Sequence, residues 1–212
     1  MAEPADAPNM GGVFIGFLRS YYSDVFTVTV KNWEVSKSKS DNLFFMECVM
    51  LAKNKSGWTL LDYLDIAESD ICKYHNVTGA YVILMIGDKL VVGYNSWRNQ
   101  WELPSGGIEE GETARQAAIR ELYEETHQNV TELDFKGLIK VEDPNGYIKY
   151  QAVFAGCQNE LSPFIHEEKD EMEKIYLWDL KENIGYVDEC DKKIVEIVCR
   201  LFCPIIPDLP CQ

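Results

Sequence analysis

Three glutamates near the middle of the sequence carry the chemistry to bind a metal ion. Glu121, Glu124 and Glu125 are spaced i, i+3 and i+4, so on a helix they share one face. Three carboxylates on one face repel one another unless a positive charge lies between them. Carboxylate oxygens are the ligands that Mg2+ and Mn2+ prefer in proteins. The spacing therefore predicts a divalent cation site, and a solvated acidic helix face is the alternative for these three residues alone.

The flanking residues predict a loop followed by a helix that holds the glutamates. Residues 105–107 read Ser-Gly-Gly, where the backbone turns freely and approaches a ligand closely. Thr113 and Gln116 have the spacing of a capping box, which predicts a helix over 113–126. One stripe of that helix is apolar and suits packing on a sheet: Ala114, Ala118 and Leu122.

The stretch 104–130 resembles the Nudix box, G-x5-E-x7-R-E-U-x-E-E-x-G-U, where U is a bulky aliphatic residue. Gly106 matches the first glycine, Glu112 the first glutamate and Leu122 the aliphatic position. The Arg-Glu and Glu-Glu pairs fall on 120–121 and 124–125. The preceding WELP is similar to the lead-in of MutT-type and sugar-nucleotide-cleaving members. The resemblance covers about residues 76–203 and is MutT-like.

The resemblance implies a role for each matching residue. The cation would be Mg2+, with Mn2+ as a substitute, and would polarise a diphosphate and lower the pKa of an attacking water. Ser105 would add its main-chain carbonyl as a ligand. Arg120 would orient a carboxylate, and Glu112 would steady the loop by pairing with Arg120. The side-chain ligands would be Glu121, Glu124 and Glu125, with Glu125 the foremost.

Two residues depart from the box. His127 stands where the pattern has glycine, and Gln128 stands where it has an aliphatic residue. The glycine would serve as a left-handed helix cap. We expect Asn129 to take that role two residues later, which would lengthen or loosen the helix end.

Further candidates lie outside the box. Family members often place one more glutamate in a loop before a strand that ends in tryptophan, and residues 166–178 have that form. Glu171 is the first candidate for an extra ligand or general base and Glu168 the second, with an ordinary acidic loop as the alternative. Arg98 is a candidate for a phosphate contact or for a surface salt bridge. Three aromatic residues are candidates for stacking on a base, with core packing as the alternative: Trp97, Trp101 and Phe154.

The surrounding elements predict an α/β fold. Alternating or continuous apolar runs predict strands at 77–86, 89–95, 101–103, 132–142, 147–157 and 173–180, and a closing helix at 191–202. Asn145-Gly146 is a hairpin signal. With the resemblance, these elements imply a Nudix-type α/β/α sandwich with a mixed sheet over 76–203.

The first 75 residues carry no chemical motif. They predict a flexible tail over 1–12, strands at 26–35 and 43–52, and an amphipathic helix over 60–75. We expect this α+β extension to pack on the Nudix domain within one chain or across a possible homodimer. We expect residues 204–212 to be a C-terminal tail.

Charge and cysteine usage narrow the classes of function. The net charge of −15 disfavours binding to DNA or RNA polymers and to anionic membranes. Seven cysteines without a C-x-x-C pair favour reduced thiols over zinc or a disulfide framework. No signal peptide pattern is present at the N-terminus, so we expect a cytoplasmic protein.

These observations favour hydrolysis of a (d)NTP or an oxidised (d)NTP to NMP and pyrophosphate. Cleavage of ADP-ribose or a nucleotide sugar is the main alternative. Removal of a 5′ diphosphate from RNA is disfavoured by the charge, and isomerase chemistry would need a catalytic cysteine such as Cys157. A non-catalytic nucleotide-binding regulatory module is the alternative from another class. The intact box carboxylates argue against such a module. They repel one another, and a protein that only binds a nucleotide has no need to tolerate that repulsion.

Overall fold

The computed structural model describes residues 50–167 and 169–202. The predicted tails at 1–12 and 204–212, the predicted strand at 26–35 and most of the predicted strand at 43–52 lie outside these residues.

Within the described residues, nine strands, two α-helices and a short 3₁₀ helix alternate along the chain. The 3₁₀ helix is Glu68–Lys73, and the α-helices are α1 (Ala114–Thr126) and α2 (Glu189–Phe202). The strands are β1 (Ala52–Lys53), β2 (Thr59–Leu64), β3 (Val77–Ile86), β4 (Lys89–Asn95), β5 (Gln100–Glu102), β6 (Ser105–Gly107), β7 (Asp134–Glu142), β8 (Ile148–Gln158) and β9 (Met172–Trp178). The strands and helices predicted after residue 76 are therefore confirmed, with small shifts at their ends.

The strands form one mixed sheet in the order β1-β2-β7-β8-β3-β4-β5, with β6 paired to β3 and β9 paired to β4. β3 and β8 run parallel, and the other pairs are antiparallel. β3 lies in the interior of the sheet, between β8 on one side and both β4 and β6 on the other. This arrangement places the short β6, and the loop that follows it, next to a strand that is fixed along its length.

Apolar side chains cover both faces of the sheet. On one face, Val82 and Leu84 of β3 pack with Ala118 and Leu122 of α1. On the other, Ile83 belongs to the cluster that includes Ile194 and Val198 of α2. Successive residues of a strand point to opposite faces, so β3 alone contributes to both layers. The α/β/α sandwich with a mixed sheet is confirmed.

The predicted amphipathic helix over 60–75 is wrong. The segment forms the strand β2, which pairs antiparallel with β7, followed by the 3₁₀ helix. Leu60 is fully buried and Leu64 packs on the opposite cluster, because a bulge between Leu60 and Asp62 shifts the register. Hydrogen-bond partners on β7, which are distant in sequence, outweighed the local helical periodicity.

The β7–β8 hairpin is closed by an aspartate as well as by the Asn145-Gly146 signal. Gly146 adopts a φ of 85°, which a residue with a side chain rarely takes. Asp143 Oδ1 accepts the N–H groups of Asn145 and Tyr147 at 2.9 and 3.0 Å. Its other oxygen lies 2.9 Å from the Lys149 ammonium. The hairpin prediction is confirmed. The Asp143 side chain stabilises the turn in addition.

No helix in the part of the chain that the structure describes has the length and apolar character needed to cross a membrane.

Candidate functional site

The loop that precedes α1 is fixed by sheet pairing. Gly107 and Gly106 of β6 pair with Gly79 and Ala80 of β3. A Cβ at Gly106 would overlap the carboxylate of Glu121. Any larger residue here would displace the Glu121 carboxylate, because the backbone of β6 and the first box carboxylate of α1 approach each other directly.

The helix α1 begins and ends with defined caps. The Thr113 hydroxyl accepts the Gln116 N–H at 3.2 Å, and the Gln116 side chain accepts the Thr113 N–H at 2.8 Å. The predicted capping box is thus confirmed. At the other end His127 itself adopts the left-handed conformation, with φ 56° and ψ 19°, and its N–H donates to the Tyr123 carbonyl. The expectation that Asn129 caps the helix is therefore wrong, because His127 takes the backbone conformation of the glycine that it replaces.

Arg120 binds three of the box glutamates. Its Nε and one terminal nitrogen donate to the two oxygens of Glu112 at 3.0 and 2.9 Å. The other terminal nitrogen donates to Glu121 at 2.7 Å and to Glu124 at 3.1 Å. These charge-assisted bonds lower the pKa of the Glu112 carboxyl. Arg120 also donates to the Gly107 carbonyl at 2.8 Å, so one side chain ties the helix to the loop.

Glu125 lies on the inner side of this group, away from Arg120. Its carboxylate accepts the backbone N–H of Ser105 at 2.8 Å. Desolvation by the surrounding protein raises the pKa of Glu125 well above its usual range, and the Ser105 N–H offsets part of this rise. The nearby carboxylates of Glu121 and Glu102 raise the pKa of Glu125 further. Glu125 is therefore placed where its negative charge is poorly compensated.

A second polar group lies at the ends of β4 and β9. Arg98 forms a salt bridge with Glu102 at 2.8 Å and one with Glu171 at 3.3 Å. The fully buried Asn95 donates to the same two carboxylates at 3.1 and 3.2 Å. The Ser96 N–H donates to the Glu171 carbonyl at 3.0 Å. Glu171 is thus held from both its side chain and its backbone.

Sequence reasoning missed two members of this group, Asn95 and Glu102. Burial raises the pKa of Glu102, and bonds from Gln100, Arg98 and Asn95 offset that effect. Glu102 is the glutamate of the WELP segment. A charged residue among large apolar ones is the signal that could have identified it as a site residue. Asn95 accepts the N–H groups of Trp97 and Arg98, an Asx turn that its position before a polar loop could have suggested.

The remaining predicted site residues fall into three places. Trp97 is 66% exposed and lies beside Arg98 in the β4–β5 loop. Trp101 and Phe154 are buried in the two core clusters, so the structure places both rings in the core. The Trp101 indole N–H donates to the Ile184 carbonyl, which fixes its ring there. Leu122 is fully buried beneath the box, and Glu168 lies outside the described residues.

The donor set fits a divalent cation, although no three acidic, histidine or cysteine side chains of the described residues already converge in a metal-binding arrangement. Arg120 occupies the space between Glu121 and Glu124 and supplies positive charge to both. Glu125 forms no salt bridge in the part of the chain that the structure describes. The charge of Arg98 lowers its pKa, but desolvation is the larger effect, so a cation beside Glu125 would compensate its carboxylate. Side-chain and backbone oxygens from α1 and β6 are hard ligands of the kind that Mg2+ takes.

Comparison with known proteins agrees with this geometry. The model of the NUDIX domain matches residues 74–196, so the chain belongs to the NUDIX family. Among curated relatives, it is 46% identical over 57 residues to the RNA pyrophosphohydrolase of Dinoroseobacter shibae, a match that covers 27% of this chain and 32% of the relative. It is 47% identical over 47 residues to the RNA pyrophosphohydrolase of Rhizobium meliloti, which covers 21% of this chain and 28% of the relative. The chain therefore spans about a third of the length of these relatives.

Solved structures share the fold. The pyrophosphohydrolase BsRppH of Bacillus subtilis superposes with a TM-score of 0.54 at 18% identity, over 70% of this chain and 92% of its own. A MutT/nudix family protein of Enterococcus faecalis gives a TM-score of 0.51 at 15% identity, over 63% of this chain and 64% of its own. At these identities the similarity concerns the fold alone.

Proposed function

We propose that this protein hydrolyses a diphosphate bond of a nucleotide substrate with the help of Mg2+ bound at the box of α1. The observation that carries the proposal is the desolvated carboxylate of Glu125, which lies between β6 and α1, accepts the Ser105 N–H and forms no salt bridge within residues 50–167 and 169–202. Such a site stabilises the protein poorly unless a cation fills it. Glu121, Glu124 and Glu125 are the proposed side-chain ligands, with the Ser105 carbonyl as a fourth donor.

Each remaining residue of the site has a proposed task. A bound divalent cation supplies charge stabilisation for the diphosphate oxygens and makes water more acidic. Arg120 orients Glu121 and Glu124, and Glu112 anchors Arg120 to the loop. Glu171 is the proposed general base that accepts the proton of the attacking water. Arg98 and Trp97, beside it, are the proposed contacts for a phosphate and a base.

The first candidate substrate is a (d)NTP or an oxidised (d)NTP, cleaved to NMP and pyrophosphate. The net charge of −15 supports a small substrate whose phosphates are neutralised by a cation. ADP-ribose or a nucleotide sugar remains the alternative with the same chemistry. A non-catalytic nucleotide-binding module remains the alternative of another class.

The matched relatives support a second candidate, the 5′ triphosphate end of RNA. Both are named RNA pyrophosphohydrolases, and the matched segments bring that activity into consideration here. The acidic charge of this chain weighs against a long RNA contact, so we expect any such activity to depend on the terminal nucleotides alone.

One assay decides among these candidates. Purified protein with Mg2+ is incubated with dNTPs, oxidised dNTPs, ADP-ribose, sugar nucleotides, dinucleoside polyphosphates and 5′-triphosphorylated RNA, and the released products are identified. Metal-dependent release of pyrophosphate from a (d)NTP supports the first candidate, and release from RNA alone replaces it with the second. Binding of a nucleotide without turnover on any substrate would favour the regulatory module and overturn the enzymatic proposal.

A further inference from the structure

The two residues that depart from the Nudix box both contact the β8–β9 loop, of which the structure describes residues 159–167 and 169–171. Gln128 is fully buried. Its side-chain oxygen accepts the Ser162 N–H at 2.8 Å, and its side-chain nitrogen donates to the Ser162 carbonyl at 3.0 Å. One amide side chain thus pairs with both backbone groups of Ser162, as a neighbouring strand would. The aliphatic residue of the family pattern has no polar atoms for this contact.

His127 makes the second contact with the same loop. Its Nδ1 accepts the Ile165 N–H at 3.0 Å. Its ring lies between Tyr123 of α1 and Phe164 of the loop, with centroid distances of 5.6 and 5.3 Å. The glycine of the family pattern has neither a ring nor an acceptor atom. The loop is therefore fastened at Ser162 and at Ile165 by groups that the usual box lacks.

The fastened part of the loop leads directly to Glu171. His166, the next residue after Ile165, places its Nδ1 3.1 Å from the Met172 carbonyl. The Asp170 N–H donates to the Glu167 carbonyl at 2.9 Å and closes the turn between them. His166 and Met172 are thus neighbours in space. Glu171 directly follows the turn, and Ile165 lies shortly before it.

We propose that His127 and Gln128 are positioning residues, which fix the β8–β9 loop to the end of α1 and so set where Glu171 lies relative to the box glutamates. The inference rests on the proposed function, because Glu171 acts there as the general base. His127 and Gln128 follow the ligand Glu125 by two and three residues. The metal ligands and the base are therefore tied to the same helix end.

The test restores the family pattern with His127→Gly, Gln128→Leu and the double variant. Glycine adopts the φ of 56° at position 127 without strain, and leucine is apolar enough for the buried position 128. Both changes remove the loop contacts and leave the backbone of the box compatible with its present conformation. The matched control is Gln116→Ala, which weakens the opposite end of α1 and touches no part of the loop.

Hydrogen exchange of backbone amides is measured at Ser162, Ile165 and Ser96, and kcat and KM are measured on the substrate found in the panel. The Ser96 amide donates to the Glu171 carbonyl and so reports on Glu171 without any substrate. We expect exchange at all three amides in the double variant to accelerate by about tenfold or more. We expect kcat to fall by about tenfold or more, because a displaced catalytic group is costly, while KM changes less than about twofold.

Unchanged exchange at Ser96, or an unchanged kcat with a loosened loop, would overturn the positioning role. A kcat loss of equal size in Gln116→Ala would also overturn it, since helix stability alone would then explain the effect. If the wild-type protein cleaves no substrate, the proposed function fails, and exchange at Ser96 still decides whether these residues fix Glu171.

Discussion

The carboxylate of Glu125 accepts a hydrogen bond from the backbone N–H of Ser105 at 2.8 Å, which joins the last turn of α1 to the strand β6. The two residues are 20 positions apart in the chain, and the loop and helix between them are tied by Arg120 as well. The Glu125 carboxylate and the backbone of Ser105 are therefore adjacent. Such preorganisation lowers the cost of assembling the site.

Glu125→Gln should reduce Mg2+-dependent turnover by about 10²-fold or more, since it removes the charge of the most enclosed proposed ligand. The measurement is steady-state hydrolysis of the best substrate, with cation affinity from titration by Mn2+. Glu110→Gln is the control, because Glu110 is exposed and occupies an unspecified position of the box. Normal activity of purified Glu125→Gln would remove Glu125 from the metal site.

Glu171→Gln should lower kcat by about 10²-fold or more, with Mn2+ affinity little changed, if Glu171 accepts the proton of the attacking water. The wild-type rate should rise towards alkaline pH, because a water made acidic by a cation is the nucleophile. Glu173→Gln, two residues further along β9 and exposed, is the control. A loss of rate seen only in Glu168→Gln would transfer the role to Glu168.

A fragment of residues 76–212 should aggregate, although it retains the whole box. It lacks β2, so β7 would expose an unpaired edge, and the core would lose the fully buried Leu60. Light scattering and size-exclusion chromatography measure the outcome, with a fragment of residues 50–212, which retains β1 and β2, as the matched control. A soluble and fully active 76–212 fragment would show that these strands are dispensable.

The mass of the full-length chain tests the possible homodimer by the same light scattering. A monomer mass would rule out an arrangement in which the N-terminal 75 residues are exchanged between two copies.

Asp143→Asn should lower the thermal midpoint at neutral pH. The hydrogen bond with Lys149, followed by that with the Tyr147 N–H, lowers the pKa of Asp143 in the folded protein. A lowered native pKa means that Asp143 stabilises the fold above its unfolded pKa of about 4, and that this contribution is lost as the pH falls through the native pKa. The difference in midpoint between the two proteins should therefore disappear in acid. A pH-independent difference would assign the effect to hairpin geometry rather than to charge.

Sequence reasoning succeeded where the signals are local. The capping box of Thr113 and Gln116, the buried stripe at Ala118 and Leu122, and the hairpin at Asn145-Gly146 each depend on residues within a few positions of one another. Chain geometry over such short distances is fixed by backbone conformation and side-chain spacing. These elements and the positions of the strands along the chain after residue 76 were accordingly predictable.

Reasoning from local patterns failed where distant segments meet. β2 has a helical pattern of leucines, yet β7, about 80 residues away, supplies its hydrogen-bond partners. Asn95, Glu102 and Glu171 are brought together only by the pairing of β4 with β5 and β9. The contact of Gln128 with Ser162 likewise spans 34 positions. Periodicity in the sequence does not predict contacts between distant segments. The polar group at the ends of β4 and β9 and the contacts of the β8–β9 loop were therefore found only in the structure.

Gly106 and Glu121 share one space, so the residue at one position limits the other. A methyl group at position 106 would overlap the Glu121 carboxylate where it now lies, and the carboxylate would have to shift away from its hydrogen bond with Arg120. A larger residue at position 106 should therefore cost activity unless position 121 changes with it. In a library that randomises both positions, selection for activity should retain the glycine–glutamate pair, whereas selection for folding alone should also recover pairs in which both residues have changed.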